Sequence, residues 1–419
     1  MKPLGGPGWT TRRGVAWLSV ALFAAVLTAD APRAGQPVHT ERFIFSGHRE
    51  HVHASSVIET PQRHLLAVWY ENGEPRPDTF FQGTDSDKRD DVRIAGARLA
   101  RGEREWSAPF VVSDTFGVSD NNPALAIDAQ ERLWLVHPTL LAVPERPWGS
   151  AVLWYKVSSD YEGAGPPKWD RERLLVAQPQ GLYEEVARAA ERLTRNAGRD
   201  NRADIARAAG LLDALQDPFA RRLGWMPRTH PLVLPDGTLL VPLANENFNM
   251  AAMALTRDGG DTWQMSRVVP GRGVLQPSVV RLPSGRLTAF FRDATADRRI
   301  KRSDSDDGGM TWSPIEPTGL PNPGGGVEAL VLRNGHLAMI YNDKESNPRD
   351  RLAVSISIDE GRTWRWTRHL ENRPGERFDY PSIIQARDGT LHATYSYNLT
   401  TIKHVHFDEA WVQQGDQDQ

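Results

Sequence analysis

The sequence predicts an all-β fold: a six-bladed β-propeller with a helical insertion between blades two and three. Three observations predict it: a turn motif present three times, a hairpin signal present six times, and a spacing of about 50 residues that links them.

The turn motif reads [ST]-x-D-x-G-x-T-W. It occurs at Thr256–Trp263, Ser305–Trp312 and Ser357–Trp364. The Asp carboxylate suits a tight turn because it accepts backbone N–H bonds, the Gly tolerates positive φ, and the Trp buries apolar area beneath. The hairpin signal is a short apolar run that ends in a turn and then Leu, at Pro61–Leu65, Ala129–Leu133, Pro235–Leu239, Pro283–Leu287, Arg333–Leu337 and Arg387–Leu391. Leu239, Leu287, Leu337 and Leu391 recur after 48, 50 and 54 residues, the length of a four-stranded blade.

The first two units are longer. A polar stretch from Glu71 to Asp90 extends the first, and a helical stretch, about 178–222, extends the second. In the latter, Leu182, Val186, Ala189, Ala190 and Leu193 share one face, and Ile205, Ala208, Ala209, Leu212 and Leu215 another. Asp160 with Trp169 reads as a worn copy of the turn motif in blade two. Pairing of the segment around Phe43-Ile44-Phe45 with Ile402–Phe407 is expected to close the ring. The propeller then spans 40–411, with a polar tail at 412–419.

Composition narrows the function classes. The 419 residues include 14 Trp, 35 Gly and 30 Pro, suited to a turn-rich β fold. A net charge of −3 gives no electrostatic case for nucleic acid. The absence of Cys removes disulfides, thiolate chemistry and Cys-based zinc sites. Arg12-Arg13 precede an apolar run from Val15 to Thr28 and then small residues, so 1–35 reads as an export signal, too short for a membrane span. An exported monomer is expected, periplasmic or extracellular, with no cofactor and no metal; His48, His51 and His53 lack matching carboxylates.

Strand direction locates the candidate site. If each first strand runs toward its hairpin leucine, first strands begin, and second strands end, on one rim; the Asp-containing turns lie on the other. Eleven residues before the leucines stand Ala54, Asn122, Arg228, Gln276, Gly326 and Tyr380. Nine before stand Ser56, Ala124, His230, Ser278, Glu328 and Ser382. Second strands end near Asn245, Arg292 and Asn342. These polar groups converge on one channel mouth, where a ligand site is expected and over which the helical insertion can act as a lid. Paired arginines there suit a substrate carboxylate, His53 starts the first inner strand, and Asp91 is a candidate general acid.

The three Asp-box turns and the blade spacing resemble bacterial sialidase-like (BNR-repeat) proteins over most of 40–410. Gly224-Trp225-Met226-Pro227-Arg228 and Leu320-Pro321-Asn322-Pro323 resemble the branch described as predicted neuraminidases. The resemblance implies an exo-glycosidase that releases a terminal acidic sugar. Sialidases bind the sialate carboxylate with three arginines and use a Tyr nucleophile, a Glu that assists it, and an Asp acid/base. Tyr380 matches the nucleophile's place, Arg292 a triad arginine, and Asp91 the acid/base region. Arg228, His53, Gln276, His230, Asn245 and Asn342 complete the expected substrate contacts. Two departures stand out. His53-Ala54-Ser55 replaces the usual first-strand Arg, and Gln276 stands where the assisting Glu is expected, leaving Glu328 as the substitute. A uronate-polysaccharide hydrolase or lyase and a non-catalytic glycan-binding propeller remain open alternatives.

Overall fold

The structure, a computed structural model, describes residues 37–47, 50–74, 86–141, 148–197 and 201–416. The export segment expected at 1–35, His48, the middle of the Glu71–Asp90 stretch and residues 417–419 lie outside them.

Six antiparallel sheets surround one axis, and each is a blade. The innermost strands begin at Val52, Ser119, Trp225, Val274, Glu328 and Phe378. In blades two and three this strand is broken into two short pieces, Ser119–Asp120 with Ala124–Ile127, and Trp225–Met226 with Leu232–Val233. The ring closes as expected. His39–Phe43 is the outer strand of blade six, with Phe43 opposite Lys403, and Ile44 N–H donates to Ile402 O at 2.9 Å. After the last strand, helix α4 (the fourth in chain order, Glu409–Gln413) buries Trp411 and Val412 against blades five and six.

The three Asp-boxes make nearly identical networks. Asp359 accepts from Thr363 N–H at 2.8 Å, Thr363 Oγ1 at 2.7 Å and Ser357 Oγ at 2.8 Å. Those donors hold its carboxyl down to about 2. Asp258 and Asp307 repeat the pattern with Thr262 and Thr311. All three turns join third and fourth strands, which puts them on the rim away from Tyr380. Blade two departs from the motif: Asp160 pairs with Lys168 across the turn, and Asp170 takes the bonds from Ser159.

The insertion forms α1 (Leu182–Ala197), α2 (Arg202–Gln216) and α3 (Pro218–Arg222). The apolar face of α1 is the expected one. That of α2 is Ala208, Leu211, Ala214 and Leu215, while Ile205 and Leu212 are exposed. This face packs with α1 on Phe248, Met250 and Val268, so the helices brace the rim turn and outer edge of blade three.

Side chains near the axis stitch the blades together. Ser382 Oγ accepts from Val57 N–H at 3.2 Å, Ser56 Oγ from Leu125 N–H at 3.1 Å, and Ser278 Oγ from Ala329 N–H at 2.9 Å. Glu328 Oε2 accepts from Ile383 N–H at 2.9 Å. Thr229 Oγ1 donates to Pro277 O at 2.6 Å, and Asn122 Nδ2 meets Met226 Sδ at 3.4 Å. All six seams therefore carry a link. His230 crosses the channel: Nδ1 meets Glu328 Oε1 at 2.9 Å and Nε2 meets Val57 O at 2.8 Å.

Two predictions follow from these seams. Ser278→Ala leaves a buried amide without its acceptor and is expected to cost about 1–3 kcal/mol in denaturant unfolding; an unchanged midpoint contradicts the seam's role. For the central pair, burial opposes both charges. The Glu328 carboxylate nevertheless raises His230 above 6.5, and His230 with Arg228 lowers Glu328 below 4.5. The Glu328 contribution is present above 4.5 and is lost as pH falls through its lowered pKa. The His230 contribution is present below 6.5 and is lost as pH rises through its raised pKa. Melting temperature against pH is expected to fall on both flanks in the native chain and to flatten in Glu328→Gln; equal slopes contradict the pairing.

Candidate active site

Tyr380 occupies a backbone kink built for it. The inner strand of blade six shifts register between Asp379 and Ser382, and Tyr380 sits in the bulge at φ +48°. Equivalent shifts flank Ala54 (φ +55°) in blade one and Gln276 (φ +52°) in blade four, and Asn122 (φ +38°) takes the same conformation in blade two. Left-handed backbone at a non-glycine residue costs of order 1–3 kcal/mol and persists only where its surroundings hold it.

Here the surroundings are explicit. Arg349 and Arg377 clamp the buried Asp379 carboxylate, whose burial is outweighed by His53 and the two guanidiniums, so its pKa is lowered. Arg228 donates to Pro381 O at 2.8 Å and Val327 O at 3.1 Å. Gly326 leaves the space these groups need, since a Cβ there would lie 2.9 Å from the Tyr380 ring.

The Tyr380 hydroxyl receives Gln276 Nε2 at 2.8 Å and Arg292 Nη1 at 2.9 Å. His53 stacks on the Tyr380 ring at 4.1 Å and 21°. Burial holds the imidazole well below 6.5 despite Asp379, so His53 is a neutral wall at neutral pH. Its Nδ1 meets Ser396 Oγ at 3.0 Å. Both donors enter the phenol oxygen, so the phenol's own proton points elsewhere. Among the described residues no carboxylate hydrogen bonds to it.

Of the sequence-predicted residues, Tyr380, Gln276, Arg292 and His53 meet at the mouth. The rest make other contacts in the structure. Arg228 is only 1% exposed and reaches backbone carbonyls beneath Tyr380, so it positions the bulge. Glu328 and His230 hold each other and the blade seams. Asp91 is buried and accepts from Arg89 and Asn72. Asn245 caps the Asn247–Phe248 turn, and Asn342 donates to Arg351 O and Phe378 O.

Three residues near the mouth escaped sequence reasoning. Glu246 follows Asn245, one place beyond the counted position. Burial raises its pKa while the Arg292 charge lowers it, which sets it within the field of that arginine. Asp87 stands in the short helix Ser86–Lys88, where its charge acts on His51 and Tyr70. Arg349 clamps Asp379 and feels Tyr380 electrostatically. Among the described residues, no group of three His, Cys, Asp or Glu side chains has metal-site geometry, and no helix is long and apolar enough to cross a membrane.

Comparisons with known proteins agree with the propeller fold. The BNR repeat-like domain family matches residues 216–393. A sialidase of Micromonospora viridifaciens is 23% identical over 96% of this chain and 60% of its own length. A sialidase of Clostridium perfringens is 27% identical over 33% of this chain and 41% of its own. The chain thus spans less than two thirds of either relative. Among solved structures, the intramolecular trans-sialidase of Ruminococcus gnavus superposes with a TM-score of 0.64 at 12% identity, covering 90% of this chain and 99% of that one. The NanB sialidase of Streptococcus pneumoniae gives 0.64 at 11% identity, covering 88% and 71%. Repeat motif, blade count and these likenesses together make the chain similar to sialidase-like BNR-repeat proteins.

Proposed function

We propose that this protein is a glycoside hydrolase that releases a terminal acidic sugar from a glycan, with the Tyr380 oxygen as nucleophile. One observation carries the reading: a hydroxyl at the channel mouth, fixed on a strained bulge and gripped by Arg292 and Gln276. A guanidinium beside the nucleophile suits a sugar that brings its own carboxylate close to the anomeric carbon. The sialidases among its relatives support that substrate class.

In this reading Tyr380 Oη attacks the anomeric carbon and gives its proton to water at the open mouth. The glycosidic bond breaks as protonated Glu246 donates to the leaving oxygen. Water, deprotonated by Glu246, then attacks the anomeric carbon, the bond to Tyr380 Oη breaks, and the phenolate takes a proton back from solvent. Arg292 holds the sugar carboxylate and the neutral His53 ring walls the pocket. Export, expected from residues 1–35, fits a glycan substrate outside the cell and belongs to the same proposal.

Gln276 favours a second reading. An amide cannot take the phenol proton, so the site also suits a propeller that binds an acidic glycan end without cutting it. Hydrolysis of an aryl sialoside and an aryl uronide separates the two. Slow release of one sugar is expected, abolished in Tyr380→Phe and raised at least about tenfold in Gln276→Glu, which restores a proton acceptor. No release by the native chain or by Gln276→Glu, with binding retained, overturns the hydrolase reading. Glu246→Gln is expected to cost about 10²–10⁴ on a natural alcohol leaving group and less on the aryl glycoside; an equal loss on both removes Glu246 as the acid.

A further inference from the structure

Outside this mouth, a cleft of about 1030 Å³ lies between the inserted helices and the rim loops of blades three and four. Its charge is lopsided. Arg188, Arg192, Arg207, Arg272 and Arg298 line it, against the single acidic side chain of Glu185. Glu185 is already paired with Arg188 at 2.5 Å, and Arg207 has Asp204 at 2.8 Å. The guanidiniums of Arg192, Arg272 and Arg298 have no carboxylate partner among the described residues. Arg272 is partly buried with Nε unpartnered, and burial together with the nearby Arg207 charge lowers its pKa.

Packing like charges in a cleft is unfavourable unless an anion joins them. For a chain of net charge −3, the concentration of arginines here is local. Two of the cleft's walls lead straight into the candidate active site. Ala294, two residues past Arg292, donates its N–H to Gly273 O at 2.8 Å, and Gly273 lies three residues before Gln276. The third wall is α1, part of the insertion that lengthens the second repeat.

We propose that this cleft is a second binding site, for a carboxylate- or sulfate-bearing segment of the glycan whose end reaches Tyr380. The link to Tyr380 rests on the hydrolase reading; affinity of the cleft for an anionic oligosaccharide does not. Its volume exceeds what a single sugar fills, at the upper end of ordinary ligand pockets. No aromatic side chain lines it, which disfavours the base stacking that single-stranded nucleic acid needs.

The test is titration calorimetry at low salt on the full chain. Ligands are a galacturonate tetramer, a sulfated tetrasaccharide, a neutral cello-tetraose and a short single-stranded oligonucleotide. One or both anionic sugars are expected to bind, whichever group the arginines prefer, and the neutral sugar is not. Affinity is expected to drop at least about tenfold in Arg192→Gln/Arg272→Gln and in the exposed single variant Arg192→Glu, with unchanged melting temperature, and to persist in Tyr380→Phe. Equal affinity in the arginine variants, equal binding of the neutral sugar, or tighter binding of the oligonucleotide overturns the proposal. Binding through Arg192 without any hydrolysis leaves the cleft standing and sinks the hydrolase reading. Hydrolysis of small acidic glycosides with no anionic oligosaccharide bound in the cleft does the reverse.

Discussion

The edge of each innermost strand faces the axis, and its amides need acceptors that no further strand can supply. Side chains from neighbouring blades supply them: Ser56, Ser278, Ser382 and Glu328 each accept from the next blade's inner strand. That constraint fixes the spacing of the blades around the channel. It also explains why polar residues recur nine places before five of the six hairpin leucines, where a purely apolar core would close the ring less specifically. Glu328 and His230 extend the principle across the axis, tying three blades at one point.

The same strands break register two residues earlier. There the chain adopts positive φ and throws Ala54, Gln276 and Tyr380 toward the mouth. Seam and bulge are adjacent by construction: Ser382 and Ser278 anchor the strand immediately after the strained residue. A rigid seam therefore holds the strained residue in place. Arg228 shows the division of labour, since it is fully buried yet decides where the Pro381 carbonyl, and with it Tyr380, can sit.

Much of the fold was legible because it is written in periodic, local signals. The Asp-boxes, the hairpin leucines and the closing strand depend on turn chemistry and spacing, both carried by neighbouring residues. The site was legible in part. Counting from the leucines found Tyr380, Gln276 and Arg292, and showed that Gln276 breaks the family pattern. Counting did not separate residues that face the mouth from those one pleat deeper, such as Glu328 and His230, which link the blades. Asp91 and Glu246 fail for a related reason. Both lie in turns, where no period predicts side-chain direction; that of Asp91 is held by Asn72 and Arg89. The face of α2 was misjudged because its partners, α1 and Phe248, are not sequence neighbours.

The central claim is that the strained Tyr380 oxygen is the atom that meets the sugar. It is tested most directly by trapping. A fluorinated acidic glycosyl fluoride, which slows breakdown of a covalent glycosyl–enzyme, is incubated with the Gln276→Glu chain and the protein is digested for mass spectrometry. The account predicts one sugar adduct on the peptide that carries Asp379-Tyr380-Pro381, absent from Tyr380→Phe. An adduct on another residue, or continued turnover with Tyr380 unmodified, contradicts it.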